Sequence, residues 1–241
     1  MFNKKVIEML KKAQGNMYEF LNDHPQKGSD RGYTWNPISG RCEHNCKYCY
    51  MKMFPLGNLN LNRKKLKTDL GKNNFIFIGS SCDMFANDVP KEWIFEVLAH
   101  CVKSHNNKYL FQSKNPNKMF LLRQYIPEYS VIGTTLETNR SYPEMGKAPS
   151  ITERVASMHQ IKNCWRFKEI MLTIEPIMDF DLEEFVRLIK TCKPTWVNIG
   201  ADSKNHNLPE PSKEKIQALI EELKKFTEIK FKSNLDRIMK K

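Results

Sequence analysis

The sequence predicts an α/β fold, a partial (β/α)6 TIM-like barrel with parallel strands and an extra N-terminal helix. Two observations predict it. From about residue 31 to 235, short continuous apolar runs alternate with amphipathic stretches, the pattern of a parallel sheet covered by helices. Right-handed crossovers curl such units into an open or partial barrel. Most apolar runs also end in polar or charged residues, and the carboxyl ends of strands are where α/β folds carry their chemistry.

Taken in order, "MFNKKVIEMLKKAQ" spaces its apolar residues as a helix does, which predicts an outer helix over about 3–22. It lacks the apolar core of a signal peptide. A strand near "YTWNP" (33–37) leads into a cysteine loop, and "FIFIGSS" (75–81) is a strand buried on both faces. Next come a helix over 89–105 with Pro90 in its first turn, a strand in "KYLFQSK" (108–114) and a helix in "PNKMFLLRQYI". "YSVIGTTLET" (129–138) is a strand, and 150–163 a helix capped by Ser150. Strand "EIMLTIEPIM" (169–178), helix 181–193, strand "TWVNIGAD" (195–202), helix 212–226 and a short strand at 228–233 complete the chain.

With 241 residues, 40% of them hydrophobic, the chain is long enough for one sizeable core. No Gly/Ser linker or composition break divides it, so a single domain is expected over 1–241. No apolar run approaches the ~20 residues that cross a bilayer, so no membrane partner is expected. Seven cysteines, an odd number, suit a reducing compartment, and a cytoplasmic location is expected. Cys101 and Cys192 fall on apolar helix faces and Cys164 in a turn, all as buried small hydrophobes. The net charge of +12 favours phosphate-bearing partners such as DNA, RNA or nucleotides; the plain alternative is a lysine-rich solvated surface. The run Arg63, Lys64, Lys65 and Lys67 either fences a site or forms a solvated helix face.

The most informative stretch is "RCEHNCKYCYM" (41–51), which spaces Cys42, Cys46 and Cys49 as C-x3-C-x2-C. Structural zinc wants a fourth ligand from a second pair, which is missing, and His44 lies too close to its neighbours to join their tetrahedron. A redox disulfide leaves the third cysteine without a role. A [4Fe-4S] cluster fits better, because three thiolates leave one iron open, as a catalytic centre requires. Later strand ends supply Ser80, Ser81, Cys82 and Asp83, then Gln112 and Lys114, then Thr135, Glu137 and Asn139, and finally Glu175 and Asp202. Glu175, inside "LTIEPIM", is a carboxylate whose desolvation demands a partner.

The cysteine spacing, with Tyr48 just before the third thiol, resembles the radical S-adenosylmethionine (SAM) superfamily. "TWNPISGRCEHNCKYCYM", "IFIGSSCDMFANDVPKEWI", "FQSKNPNKM", "IGTTLETN" and "LTIEPIM" together resemble a compact, phage-associated branch of it, distantly like spore photoproduct lyase. The resemblance spans about residues 33–235. It implies that Cys42, Cys46 and Cys49 hold a [4Fe-4S] cluster whose open iron binds SAM. Reductive cleavage of SAM then gives a 5′-deoxyadenosyl radical that takes hydrogen from substrate. It places Tyr48 by the adenine; Ser80, Ser81 and Asp83 near the methionine amino group; and Thr135 and Glu137 at the ribose or carboxylate. Glu175 falls near the adenine or substrate. Lys114 pairs with a cofactor carboxylate or substrate phosphate, or is a solvated rim lysine. Cys82 stands where the branch carries Ser; it either donates hydrogen to the radical chemistry or fills space as a small hydrophobe. The expected reaction is modification or repair of a nucleobase, fed by a flavodoxin- or ferredoxin-type electron donor. A small metabolite or peptide substrate, and a zinc-stabilised nucleic-acid-binding module without catalysis, are the alternatives.

Overall fold

The computed structural model describes residues 10–14, 32–164 and 166–240. An eight-stranded sheet runs in the order β1 (Lys11–Lys12), β2 (Tyr33–Trp35), β5 (Phe75–Ile78), β6 (Lys108–Gln112), β7 (Ser130–Thr135), β8 (Glu169–Ile174), β9 (Trp196–Ile199) and β10 (Glu228–Phe231). A separate two-stranded hairpin, β3 (Ile38–Ser39) with β4 (Asn60–Leu61), lies between β2 and β5. All pairings in the large sheet are parallel except β1 on β2, and the sheet stays open rather than closing. Six helices among the described residues follow the strands from β5 onward: α1 (Lys91–Lys103), α2 (Pro116–Leu121), α3 (Ile151–Asn163), α4 (Leu182–Thr191), α5 (Lys213–Leu223) and α6 (Asp236–Met239). None is long and apolar enough to cross a membrane.

The two-residue period of the strands sorts their side chains between two layers. Ile76, Ile78, Tyr109, Phe111, Ile132, Ile170, Leu172, Val197 and Ile199 face the helices and join Ile94, Val97, Met158, Phe185 and Leu219 in the main core. The alternate residues Phe75, Phe77, Leu110, Val131, Met171 and Trp196 form a second, smaller core on the concave face. Full burial of each such side chain contributes about 1.5–3 kcal/mol. Two to four residues further along the same strands, the concave face turns polar, with Gln112, Thr135, Thr173 and Asn198. The inside of the curved sheet is therefore an apolar plug at one end and a polar floor at the other.

Helix starts follow local chemistry. Ser150 and Glu153 form a reciprocal capping box before α3, with Ser150 N–H donating to the Glu153 carboxylate at 2.8 Å. Ser212 accepts the Lys215 N–H before α5.

Three expectations change. Within the helix expected over 3–22, Lys11–Lys12 is instead an antiparallel edge strand against Tyr33–Thr34; the rest of that helix lies outside the described residues. The strand keeps its lysines exposed and buries Ala13, and charged side chains of this kind protect a sheet edge. No helix follows β2, because the cysteine loop, the hairpin and two short 3-10 turns occupy that crossover, leaving β2 as a seventh parallel strand beside six βα units. Cys101 and Cys192 are fully buried as expected, whereas Cys164, at the C-cap of α3, is half-buried.

Candidate active site

The cysteine loop leaves β3 through Gly40 (φ +113°), where a Cβ would stand 2.3 Å from the Asn58 carbonyl oxygen. Only glycine permits that approach, and it brings the two ends of the loop together with Arg41 N–H donating to Gly57 at 3.0 Å. Inside the loop, Asn45 N–H donates to Cys42 and Cys49 N–H to Cys46, each at 3.2 Å. The segment after β7 grips it from outside. Lys47 N–H donates to Glu144 O at 2.8 Å, Lys147 N–H to His44 O at 2.7 Å, and the Cys46 thiol to Met145 O at 3.3 Å. Gly146 (φ +68°) lies so close that a Cβ there would meet the His44 carbonyl oxygen at 2.1 Å.

This loop lines a cavity of about 1070 Å³ at the carboxyl ends of the strands. Cys42, Cys46 and Cys49 all face it, as do Tyr48, Ser80, Ser81, Cys82, Asp83, Lys114, Thr135 and Glu175. All seven cysteines are free. The Cys42 thiol is brought down to about 7 by a hydrogen bond from the Cys82 thiol, against the effect of burial. That same bond, followed by burial, pushes Cys82 far up. Burial also raises the Cys46 thiol. Three unbridged thiols beside open volume suit a cluster with one iron left for another ligand, and a coordinated thiol is deprotonated whatever its free pKa.

Behind the loop is a buried charge network. Glu137, expected at the ribose or carboxylate, is fully buried and is not among the cavity-lining residues. Its carboxylate takes Arg154 Nη1 at 2.8 Å, Lys114 Nζ and the Tyr48 hydroxyl. Burial alone would raise its pKa; the charges of Lys114 and Arg154, then hydrogen bonds from Lys114 and Tyr48, hold it well below the carboxylate range. Lys114 Nζ also donates to the Tyr48 hydroxyl at 3.1 Å and stands 4.9 Å from the centre of its ring. Lys114 is thus a bound member of the site rather than a solvated rim lysine.

Asp83 is similarly committed. His44 Nε2 at 2.9 Å, Ser113 Oγ at 2.9 Å and Lys114 N–H at 2.8 Å meet one carboxylate oxygen, and Phe85 N–H at 3.0 Å meets the other. Burial opposes its ionisation, but His44, Ser113 and the Lys114 N–H hold its pKa down. The contact ties the cysteine loop, through His44, to the loops after β5 and β6. Asn36 ties down the adjacent turn through Ser80 Oγ and Ser81 N–H, both at 3.1–3.2 Å. Gln112 Nε2 donates to Thr135 Oγ1 at 3.1 Å.

On the opposite wall, Glu175 has the partner its burial demands: Lys232 Nζ, with Asn234 Nδ2 at 2.8 Å. Beside them the loop after β9 contributes Asp202, Ser203, Lys204 and His206. Sequence reasoning assigned no role to His44, Ser113, Arg154, His206, Lys232 or Asn234. The basic run is displaced from the site. None of Arg63, Lys64, Lys65 or Lys67 lines the cavity, because Arg63 pairs with Glu96 on α1 at 2.8 Å and Lys65 donates to Asn36 O at 3.0 Å.

Similarity to known proteins follows the fold. Spore photoproduct lyase complexed with dinucleoside spore photoproduct superposes with a TM-score of 0.63 at 10% identity, over 95% of this chain and 80% of that one. A variant of the same enzyme with bound AdoMet and dinucleoside spore photoproduct gives 0.61 at 11% identity, over 82% and 75%. Methylornithine synthase gives 0.51 at 14% identity, over 81% and 63%. The shared architecture is the partial barrel of the radical SAM enzymes that the sequence resembles. No curated protein matches the chain by sequence. Residues 31–226 match the family described as "Protein of unknown function (DUF5131)", and the chain belongs to that family.

Proposed function

We propose that this protein is a radical SAM enzyme acting on a nucleobase in DNA, RNA or a nucleotide. One observation carries the reading: three free thiols of one short loop line an open cavity at the carboxyl ends of parallel strands. Cys42, Cys46 and Cys49 would hold a [4Fe-4S] cluster, with the cavity giving SAM access to its fourth iron. When bound, the cluster and SAM together supply a hydrogen-abstracting carbon radical, with electrons from a flavodoxin- or ferredoxin-type donor. The Tyr48 ring would flank the adenine, its hydroxyl fixed by Glu137. Ser80 and Ser81, in the turn held by Asn36, would face the methionine amino group, with Asp83 bracing that corner. Thr135 would serve the ribose, Lys114 a carboxylate or phosphate, and Glu175 the adenine or substrate. A nucleobase substrate is supported by the net charge of +12 and by the dinucleoside bound to spore photoproduct lyase.

Anaerobic reconstitution tests the reading. The expected product is a brown protein with about four irons and four sulfides per chain, which under reduction converts SAM to 5′-deoxyadenosine. A colourless protein carrying one zinc would overturn it.

For Cys82, the contact with Cys42 favours a space-filling place beside the cluster over hydrogen donation to substrate. Cys82→Ser is therefore expected to keep wild-type iron content and turnover. Wild-type iron with turnover lost, and with 5′-deoxyadenosine formed without product, would restore the donor role.

A further inference from the structure

The cavity stands at the upper end of the size range for a single ligand. Sites for a single drug-sized ligand run to about 300–1,000 Å³, and this one reaches about 1070 Å³. Its two walls also differ. The cysteine wall is tied together by Asp83, Glu137 and Asn36, whereas the wall at the ends of β8 and β9 holds a buried hydroxyl with no partner among the described residues.

Thr173 lines the cavity on β8, is 5% exposed, and its hydroxyl has no hydrogen-bond partner among the described residues. Behind it and outside the cavity lining, its register neighbour Asn198 on β9 is fully buried, with neither amide atom partnered among the described residues. Buried polar atoms are rarely left unpaired, because each costs about 1–3 kcal/mol in lost solvation. The Thr173 hydroxyl, unpaired just beneath the surface of an open site, marks a place for a polar group from outside.

His206 stands on the wall above. Asp202, 5% exposed, accepts His206 Nδ1 at 2.7 Å together with the backbone N–H groups of His206 and Lys204. Since the carboxylate must receive the Nδ1 proton, the neutral ring leaves Nε2 as an acceptor. His206 lines the cavity, so that acceptor is available to a ligand. Lys204 is exposed at the rim of the same wall, a cation with no ion pair among the described residues.

We propose that this wall is a nucleotide subsite, in which Thr173 and His206 read the polar edge of a base and Lys204 meets its phosphate. The assignment rests on the nucleic-acid reading above and gives it a location. All four bases offer an N–H donor on the Watson–Crick edge for His206, and an extruded base is read through that edge. The Thr173 hydroxyl beneath can donate or accept.

Binding of a single-stranded oligodeoxynucleotide of mixed sequence tests this on the cluster-loaded protein, with an abasic oligomer of equal length as control. His206→Phe is expected to weaken binding of the base-bearing oligomer about tenfold, one lost hydrogen bond, and to leave abasic binding unchanged. His206→Gln, which keeps an acceptor, should recover most of the loss. Lys204→Ala should weaken both oligomers and lower the salt slope by about one. Thr173→Val should raise the thermal midpoint of the free protein, by removing an unpaired hydroxyl, while weakening the base-bearing oligomer severalfold. Iron content reports that each variant is intact. Unchanged oligomer binding in the His206→Phe and Thr173→Val proteins would overturn the subsite while leaving the nucleic-acid reading in place. A wild-type protein that cleaves SAM yet binds neither oligomer would overturn both.

Discussion

Replacing any one of Cys42, Cys46 or Cys49 with alanine is expected to abolish cluster retention and 5′-deoxyadenosine formation together, while leaving the fold intact. The first half follows from coordination. Two thiolates leave two irons of a [4Fe-4S] cube without a protein ligand, and His44, the nearest other donor in the loop, is held by Asp83. The second half follows from how the loop is built. Cys49 is half-buried, and the loop's shape comes from main-chain hydrogen bonds and the tight approaches at Gly40 and Gly146. Iron and sulfide analysis, visible absorbance and circular dichroism on each variant check the two halves separately. A Cys49→Ala protein that kept wild-type iron and SAM cleavage would refute the assignment of the triad.

The largest loss of stability is expected from Glu137→Ala. Glu137 and Arg154 are both fully buried and joined at 2.8 Å, so removing the carboxylate strands a guanidinium in the interior. Breaking one side of a buried pair costs about 3–5 kcal/mol. In a chain of this size that lowers the thermal midpoint on the order of 10 °C. Removing both charges with apolar residues of similar volume should recover most of the deficit, because the desolvation cost then vanishes from both sides. The pH dependence has a definite sign. The Glu137 pKa is depressed in the folded state, so its contribution is complete above the ordinary carboxylate pKa and is lost as pH falls. The Glu137→Ala protein should therefore show a weaker loss of stability on acidification than wild type. Equal acid sensitivity would show that the network contributes little.

Periodicity made most βα units legible because most strands carry a buried apolar run and four of the six helices among the described residues run ten residues or more. "FIFI" is buried at all four positions and "SVIGTT" at all six. The same signal fails for two-residue elements. Ile38–Ser39 and Asn60–Leu61 are too short to show a period, and Lys11–Lys12 sits inside a pattern that also reads as helix. At the site, the rule that strand ends carry chemistry brought Ser80, Lys114, Thr135 and Glu175 to one cavity with the cysteines. Pairing across the fold was hidden. Arg154 reaches Glu137 from a helix, and Lys232 reaches Glu175 from 57 residues away, distances along the chain that no local pattern encodes. Thr173 and Asn198 did leave a trace, as single polar letters within "LTIEP" and "WVNIG", where alternation puts them on the concave face.

The grip of residues 144–147 on the cysteine loop bears on what becomes of the protein after oxygen damage. In small zinc domains the metal closes the chain, and stripping it dissolves the fold. Here peptide groups close the loop, at Lys47 to Glu144 and Lys147 to His44. Loss of the proposed cluster would therefore leave the loop's shape in place, ready to be refilled.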